Sequence, residues 1–242
     1  MSSRLRTALI IPALNEEPVI GSTLASIPPG LFDTIIVADN GSSDATGAIA
    51  RSSGATVVRE EERGYGAACL CALRSLPPGT DIVLFMQADL SEDPAQAGLL
   101  LEPIQSGCAD MVMGCRTGTA VEPGAVLLHQ RFGNWLATSL IRCLYGVKYK
   151  DLGPFRAIRV QALERLGMQE CNYGWTVEMQ IRAIQENLRV LEVPVSYRLR
   201  AAGENKVSGN LKASILAGIK IISTIFRVWR KRPSAWHRIA SK

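Results

Sequence analysis

The sequence predicts an α/β fold, a mostly parallel sheet flanked by helices, and three observations lead to this class. Short β-branched runs alternate with helical segments through the first half of the chain, which is the rhythm of right-handed β-α-β crossovers. The chain has 242 residues, of which 47% are hydrophobic and 20% charged, enough to bury a full core. Its composition also excludes the disordered, collagen-like and disulfide-scaffold classes.

The predicted elements follow in order along the chain. Five apolar runs are candidate strands: TALII (7–11), DTIIVA (33–38), ATVV (55–58), DIVLFM (81–86) and DMVMG (110–114). Helical patterns lie between them, near 16–27, 43–53, 65–75 and 94–106. The second half predicts helices around 129–144 and 174–187, strands at 155–159 and 189–197, a polar segment at 198–210 and a final helix at 211–231. Ligands of such sheets bind at the carboxyl ends of the strands.

Charge is distributed unevenly. Residues 198–242 hold 11 Lys/Arg and one acid, a net +10, whereas residues 1–197 hold 16 basic and 21 acidic residues, a net −5. A basic tail of this kind can meet nucleic acid, an anionic membrane surface or a phosphorylated substrate, and charge alone does not choose among them. Nucleic acid is the least favoured partner, because no known reading module accompanies the tail.

The final helix has two faces when its residues are placed at about 100° intervals. One arc carries the basic side chains and the opposite arc the apolar ones: Lys212, Lys220, Arg227, Arg230 and Lys231 against Leu211, Ile215, Ile219, Ile222, Ile225, Phe226 and Trp229. This pattern is typical of a helix that lies in a membrane interface. The alternative is a helix packed on its own domain with a solvated basic face. Lys220 and Arg227 interrupt the apolar stretch, so we expect no membrane crossing.

Cysteine usage and the N-terminal residues predict the compartment. The six cysteines are scattered without a CxxC pair, and the first residues turn acidic before a long apolar signal region develops. Both features favour a cytoplasmic protein with free thiols. With the final helix in the interface, the protein would lie peripherally at the inner face of the membrane.

Polar side chains follow three of the predicted strands at the point where each strand ends. They occur in PALNEE (12–17), DNGSSD (39–44) and QADLSED (87–93). Acidic groups at neighbouring strand ends suit a divalent cation with oxygen ligands, Mg²⁺ or Mn²⁺, that holds a diphosphate. The alternative is that these residues cap the helices that follow, as we expect of Ser43 and Asp44.

The glycines at 64–66 do not form a dinucleotide site. Cys69 stands where the third glycine of GxGxxG would fall, and the segment follows the third strand rather than the first. We expect the turn from Gly64 to Ala68 to let a ribose or base approach the backbone at a helix N-terminus.

Together these motifs resemble those of the family 2 glycosyltransferases of the GT-A fold, in particular the dolichyl-phosphate and polyprenyl-phosphate sugar synthases. The similar segments are PALNEE (12–17), VADNGSSDAT (37–46), RGYGAA (63–68), QADLSEDP (87–94), DLGPFRAIR (151–159), YGWTVEM (173–179) and YRLRAAGENKVSG (197–209). The resemblance covers nearly the whole chain. It implies a Rossmann-like GT-A domain over 1–210 and a basic amphipathic helix and tail over 211–242.

The resemblance also implies roles for individual residues. The nucleotide-sugar pocket would be lined by Pro12, Asn15, Glu17, Asp39, Gly64, Ala67, Gln87 and Ala88, with Asp39 accepting a hydrogen bond from the base. Asp89 and Gln87 would hold the metal. Phosphate oxygens would be bound by Arg156, Arg200, Lys206 and Ser208. Asp89, Arg156 and Glu178 would be catalytic.

Two positions depart from the family pattern. Gln87 stands at the first Asp of the DxD motif, and Asn40 at the second Asp of VxDDG. An amide oxygen still ligates a hard cation, at lower affinity, so we expect a site weakened rather than abolished. The implied activity is inverting, metal-dependent transfer of a hexose from a nucleotide-diphosphate sugar to a polyprenyl- or dolichyl-type lipid phosphate at the cytoplasmic membrane face.

Two alternatives stay open. A soluble hydroxyl acceptor would make Glu178 a general base and the terminal helix a packing or dimer element of a homo-oligomer. A partner subunit could instead have kept the nucleotide-binding fold without turnover after losing the carboxylate at position 87. The acceptor decides the role of Glu178, because a lipid phosphate is ionised near pH 7 and needs mainly positioning and charge stabilisation.

Overall fold

A computed structural model describes residues 4–117, 120–201 and 211–230, which form a seven-stranded sheet with helices on both faces. The strands are β1 (Thr7–Ala13), β2 (Thr34–Asp39), β3 (Thr56–Arg59), β4 (Ile82–Phe85), β5 (Met111–Cys115), β6 (Arg156–Arg159) and β7 (Val190–Pro194). The helices are α1 (Glu17–Ala25), α2 (Thr46–Ser52), α3 (Tyr65–Arg74), α4 (Ala97–Gln105), α5 (Leu128–Tyr145), α6 (Val160–Leu166), α7 (Trp175–Gln185) and α8 (Leu211–Arg230). The predicted α/β class is confirmed.

The order of the strands places the functional loops on one edge of the sheet. The strands lie in the order β3-β2-β1-β4-β6-β5-β7, and β1 to β4 are parallel. Only β6 runs against its neighbours, since it pairs antiparallel with both β4 and β5. Because that reversal occurs on both sides of β6, β5 points the same way as β4. The carboxyl ends of β1, β2, β4 and β5 therefore share one edge.

Two hydrophobic layers enclose the sheet, because successive strand residues point to opposite faces. Ile10 and Phe85 face a layer that α3, α5, α6, α7 and α8 complete. Leu9 and Leu84 face the other layer, which α1, α2 and α4 cover. The sheet is thus buried on both faces, as expected for parallel strands.

Two elements differ from the sequence prediction. Helix α6 was not predicted, because it begins directly after β6 without a turn signal; it ends at Gly167, whose φ of 55° is left-handed. Strand β7 ends at Pro194 rather than at residue 197, since proline has no N–H to continue a ladder. Tyr197 instead makes isolated bridges to Glu92 and Val121.

Helix α8 packs on the body of the protein, against α5 and α7. Ile225 and Val228 are buried there, and Lys220 and Arg227 of the predicted basic arc both pair with the buried carboxylate of Glu170. This arrangement corresponds to the packing alternative. The apolar arc is divided, because other side chains stay exposed: Leu216, Ile219 and Phe226.

Part of the predicted two-faced pattern falls outside the description. The side chains of Leu211, Lys212 and Ile215 and the whole of Lys231 are not among the described groups. Within the described part of the chain, none of the helices combines the length and apolar character needed to cross a bilayer.

Candidate active site

Two loops at the carboxyl edge hold each other in place. The Asn15 N–H, after β1, donates to Ser42 Oγ, after β2, at 3.0 Å. The Glu17 carboxylate accepts from the N–H of Ala45 at 2.9 Å, at the N-terminus of α2, where negative charge is stabilised. The structure therefore brings Asn15 and Glu17 together with the loop of Asp39, and both side chains fix that loop.

Asp39 is buried at the end of β2. Its Oδ1 accepts from the Ser42 N–H at 2.8 Å, and its Oδ2 lies 3.4 Å from Arg59 Nη1. A Cβ on Gly47 would lie 2.9 Å from Asp39 Oδ2, so a glycine at this position avoids a clash with this oxygen. Pro12, predicted for the same pocket, is half-buried within the neighbouring strand β1. Asp39 is thus fixed at the end of β2 beside the first loop, and the base contact expected of it stays a prediction.

Asn40 links two loops, a role that the resemblance to the family did not predict. Its amide nitrogen donates to the carbonyl oxygens of Glu60 (3.2 Å) and Glu62 (2.6 Å), and its Oδ1 accepts from the Gly64 N–H at 2.8 Å. An ionised aspartate has no donor and would face two carbonyl oxygens. Asn40 therefore ties the loop after β2 to the loop before α3.

The glycine turn at 64–66 lies against the protein's own backbone. A Cβ on Gly64 would overlap the carbonyl oxygen of Cys171, and one on Gly66 that of Glu170. The N–H of Ala67, which is buried, donates to the Cys171 carbonyl at 2.8 Å. Residues 170–171 therefore fill the space that a side chain at position 64 or 66 would need, and the nucleotide contact predicted for Gly64 and Ala67 stays a prediction.

The loop after β4 gathers oxygen atoms; we call residues 87–93 the metal loop. Asp89 is buried, and its Oδ1 accepts from the Ser91 N–H at 3.0 Å and lies 2.5 Å from Ser91 Oγ. The same hydroxyl lies 3.2 Å from Gln87 Oε1. The Ser91 hydroxyl therefore lies between the Asp89 carboxylate and the Gln87 amide, and Leu90, which links Asp89 to Ser91, has a left-handed φ of 59°.

Other residues of the metal loop have supporting positions. The Thr23 hydroxyl of α1 donates to the Ala88 carbonyl at 2.6 Å. Glu92 is buried, its Oε2 accepts from the Gln87 N–H at 2.8 Å, and burial raises its pKa to about 8. Asp93 caps the following turn by accepting from the Ala95 N–H at 3.1 Å, as the capping alternative predicts.

Oxygen ligands in the metal loop fit a divalent cation that a substrate shares. Among the described residues, no three His, Cys, Asp or Glu side chains cluster in a metal-binding geometry. Mg²⁺ is commonly held by one or two carboxylates together with substrate phosphates and water. Asp89 Oδ2 already faces a cationic group, Arg200 Nη1, at 3.0 Å. Asp89 with Gln87 is therefore a suitable ligand pair for a cation that also binds a diphosphate.

Arg200 lies over the metal loop. Its guanidinium contacts Asp89 and both carboxylate oxygens of Glu16. The backbone of this segment is fixed to the loop, because the Arg198 N–H donates to the Ser91 carbonyl at 2.8 Å and the Ala201 N–H to the Asp89 carbonyl at 3.2 Å. We call residues 197–201 the strap. Lys206 and Ser208, the other phosphate contacts predicted for this region, lie outside the described residues.

Arg156 is not placed to bind phosphate, which corrects the prediction. It is fully buried on β6, and its guanidinium donates to the carbonyl oxygens of Leu152, Gly153 and Thr176. Burial lowers its pKa to about 10. Arg156 therefore fixes the turn after residue 151 to the first turn of α7, and the core encloses its charge.

Glu178 is likewise directed into the protein and not toward an acceptor. Its Oε2 accepts from the backbone N–H groups of Gln169 (3.0 Å) and Glu170 (2.7 Å), and its Oε1 pairs with Arg182 at 2.9 Å. The side chain is 1% exposed. Both oxygens are engaged in holding residues 169–170, so this placement contradicts the expected catalytic position.

A cationic pocket of about 330 Å³ opens beside the strap, and the sequence reasoning missed most of it. Its polar lining is Arg116, Thr117, Arg131, Asn134, Lys150 and Asp151. We call it the cationic pocket. Arg116 directly follows β5 at the carboxyl edge of the sheet, and this position could have identified it from the sequence as a candidate site residue. Arg131 and Lys150 come from α5 and from the segment after it, so only the folded chain brings the three cations together.

Arg116 is held rigidly in this pocket. It pairs with Asp151 through two hydrogen bonds of 2.8 Å, and its guanidinium lies 5.1 Å from the centre of the Tyr197 ring. Burial opposes ionisation of Asp151, but the hydrogen bonds and charge of Arg116 outweigh it and hold the pKa of Asp151 below its ordinary value. Through Tyr197, the strap joins the pocket to the metal loop.

The acidic and amide side chains of the metal loop, and the cations beside them, lie at the carboxyl edge of the sheet, where ligands of such α/β folds bind. The family follows from comparison with known proteins. A family model described as glycosyl transferase family 2 matches residues 8–167, and the chain belongs to this family. The predicted family is thereby confirmed.

Relatives of known name cover most of the chain. An uncharacterized glycosyltransferase of Mycobacterium tuberculosis is 35% identical over 213 residues, 86% of this chain and 93% of the relative. The polyprenol monophosphomannose synthase of Mycolicibacterium smegmatis is 30% identical over 224 residues, 85% of this chain and 82% of the relative. The undecaprenyl-phosphate mannosyltransferase of Micrococcus luteus is 27% identical over 231 residues, 89% and 93% of the two chains.

A solved structure shows the same fold. Glucosyl-3-phosphoglycerate synthase from Mycobacterium tuberculosis, in complex with Mn²⁺, UDP-glucose and phosphoglyceric acid, superposes with a TM-score of 0.76 at 24% identity. The match covers 95% of this chain and 82% of that chain. The predicted glycosyltransferase fold is confirmed.

Proposed function

We propose that this glycosyltransferase moves a hexose from a nucleotide-diphosphate sugar to a polyprenyl-type lipid phosphate, with inversion at the sugar carbon. The observation that carries the proposal is the cationic pocket beside the metal loop. Tyr197 lies between them, since its ring contacts Arg116 and its backbone bridges to Glu92. A phosphate held by Arg116, Arg131 and Lys150 would therefore be next to a donor held at Asp89.

The chemistry of the pocket favours an acceptor that is already ionised. A hydroxyl acceptor needs a base within hydrogen-bond reach. Asp151, which lines the pocket, has both oxygens engaged by Arg116 and by the Leu152 N–H, and Glu178 is turned into the protein. A phosphate oxygen needs no proton removed and can displace the diphosphate directly, provided that it is positioned and its charge is compensated.

The named relatives support a phosphate-bearing acceptor. Two of them are called an undecaprenyl-phosphate mannosyltransferase and a polyprenol monophosphomannose synthase, and the solved structure holds phosphoglyceric acid. The polyprenyl compounds and phosphoglyceric acid differ in the group that carries the phosphate, which is a long apolar chain or a small polar acid, and they share the phosphate. The cationic pocket is suited to the shared group, and the choice of a lipid acceptor follows the more similar sequences.

The metal loop would hold Mg²⁺ or Mn²⁺ through Asp89 and Gln87. When bound, the cation would neutralise charge on the leaving diphosphate. The protein's own residues have two tasks here: Ser91 orients the Asp89 carboxylate, and the strap places a guanidinium above it. The solved neighbour in complex with Mn²⁺ and UDP-glucose is consistent with this assignment.

The first half of α5 would meet the membrane, with the protein peripheral at the cytoplasmic face. Leu128, Phe132 and Trp135 are 83%, 61% and 60% exposed, and their spacing places them on one face of the helix. Arg131 and Asn134 of the same turns line the cationic pocket. Aromatic and apolar groups beside a cation are typical of helices that lie in a membrane interface. A lipid phosphate could thus reach the pocket while its chain stays in the bilayer.

The reaction can be tested with the purified chain, Mn²⁺ and a panel of nucleotide-sugars. Each sugar is offered with undecaprenyl phosphate in detergent or with 3-phosphoglycerate, and products are identified by mass spectrometry. A glycosylated lipid phosphate is the expected product. Transfer to 3-phosphoglycerate alone would assign a soluble acceptor. Donor binding without product in either case would support the partner-subunit alternative.

The membrane contact can be tested by flotation with anionic vesicles. Phe132→Ser and Trp135→Ser should each reduce binding even at high salt, because they remove apolar contact and not charge. Leu99→Ser is the matched control, since Leu99 is 46% exposed on α4, which covers the opposite face of the sheet. Equal binding by all three variants and the wild type would contradict the role of α5.

A further inference from the structure

The metal-ligand oxygen of Asp89 already has a cationic partner. Asp89 is buried, and its Oδ1 is engaged by the N–H and hydroxyl of Ser91. Oδ2 is left to face the Nη1 atom of Arg200 at 3.0 Å. A bound Mg²⁺ lies roughly 2.0–2.1 Å from a ligand oxygen, so the metal and this guanidinium compete for the same side of Asp89.

Glu16 adds a second carboxylate to the same guanidinium. Arg200 Nη2 contacts both oxygens of Glu16, which is buried and whose N–H donates to Thr46 Oγ1 at 2.7 Å. Two buried carboxylates without a cation between them would be strongly unfavourable. A positive charge between Asp89 and Glu16 therefore stabilises both carboxylates, and it need not always come from Arg200.

The strap allows the Arg200 guanidinium to change partners while the backbone stays bonded to the metal loop. The N–H groups of Arg198 and Ala201, on either side of Arg200, donate to carbonyl oxygens of the metal loop. These bonds hold the backbone while the long side chain of Arg200, a fifth exposed, can rotate. A diphosphate brought to the metal loop would offer the guanidinium a bidentate partner within its reach.

We propose that Arg200 is the resident counter-ion of this site. It competes with the divalent cation for Asp89 and Glu16, and it transfers to the diphosphate when metal and nucleotide enter. Metal and nucleotide diphosphate then bind with positive cooperativity, each raising the affinity for the other by the same factor. The inference rests on the proposed function only in taking Asp89 as a metal ligand.

Mn²⁺ binding to the full chain, followed by electron paramagnetic resonance, tests the competition without turnover. Arg200→Gln should bind Mn²⁺ alone more tightly than the wild type, by roughly 5- to 150-fold, the usual range of coupling between two ligands. Arg142→Gln is the control, because Arg142 is an exposed arginine of α5 outside both the strap and the metal loop; its affinity should be unchanged. UDP or GDP should strengthen Mn²⁺ binding more in the wild type than in Arg200→Gln.

An Arg200→Gln protein that binds Mn²⁺ no more tightly than the wild type overturns the proposal. Should this variant fail to fold, Arg200→Lys supplies the same test, because one ammonium lacks the fork that spans both carboxylates; an affinity no higher than that of the wild type again overturns it. The Asp89→Asn variant tests the claim that Asp89 is a metal ligand separately from the claim that Arg200 competes with the metal. Unchanged Mn²⁺ binding there contradicts the metal ligand of the proposed function, and absence of Mn²⁺ binding in every protein overturns both.

Discussion

The carboxyl edge of the sheet, where we propose that nucleotide-sugar and acceptor bind in two adjoining halves, is built in two different ways. In the nucleotide half, the loops after β1, β2 and β4 are fixed by short side chains that accept from nearby backbone N–H groups, as Ser42, Asp39 and Asp89 do. In the acceptor half, long charged side chains from distant segments meet, as Arg116 does with Asp151. Short local motifs thus set the nucleotide half, whereas tertiary packing sets the acceptor half.

The largest expected effect lies in the nucleotide half, at Asp89. Asp89→Ala should abolish turnover, a loss greater than the roughly 100-fold that removal of an outer-shell partner can cost. Gln87→Asp is the opposite change: it restores a charged oxygen ligand and should keep or raise activity while tightening Mn²⁺ binding. Steady-state transfer rates with varied Mn²⁺ measure both. Full activity of Asp89→Ala in the presence of chelator would remove the metal loop from the mechanism.

The next effect belongs to the acceptor half. Arg131→Ala should lower kcat/KM for the phosphate acceptor roughly 10- to 150-fold, the equivalent of one charge-assisted hydrogen bond, and leave nucleotide-sugar affinity unchanged. Arg142→Ala, an exposed arginine of the same helix outside the pocket lining, is the control and should behave like the wild type. An equal loss of donor and acceptor affinity in Arg131→Ala would mean that the two halves are not separate.

This difference explains what the sequence could predict. The metal loop and the loops of Asn15 and Asp39 lie within contiguous motifs at strand ends, so the predicted parallel sheet was enough to bring them to one edge. Arg156 and Glu178 also lie in motifs, but no pattern in the sequence shows which way a side chain points. β6 runs antiparallel and buries Arg156, and the 169–170 backbone captures Glu178. The cations of the pocket are separated by up to 34 positions along the chain, so no local sequence motif contains them together.

The two positions that depart from the family pattern should respond in opposite ways to aspartate: Gln87→Asp should keep or raise activity, whereas Asn40→Asp should destabilise the fold. Asn40→Asp should reduce the free energy of unfolding by about 1–3 kcal/mol, because a carboxylate would face the carbonyl oxygens of Glu60 and Glu62 without a donor. Asn187→Asp, at an exposed position with a left-handed φ of 52°, should change it by less than about 0.5 kcal/mol. Urea denaturation measures both. A stability gain in Asn40→Asp would show that the lost family carboxylate matters more than the loop contacts.

The smallest expected effect concerns which cations of α8 remain available to a membrane. Lys220 lies 3.3 Å from the buried carboxylate of Glu170, which Arg227 also contacts, so its ammonium is held against the body of the protein. Lys220→Gln should therefore leave binding to anionic vesicles nearly unchanged. Arg230→Gln, at the exposed end of the helix, should weaken vesicle binding by about 1 kcal/mol at low salt, the usual contribution of one basic residue near an anionic surface. Flotation of the two variants side by side makes the comparison, because both lose one charge from one helix. If Lys220→Gln lost as much vesicle binding as Arg230→Gln, the pairing with Glu170 would not hold in solution, and the two-faced helix predicted from the sequence would describe α8 better than the packed one.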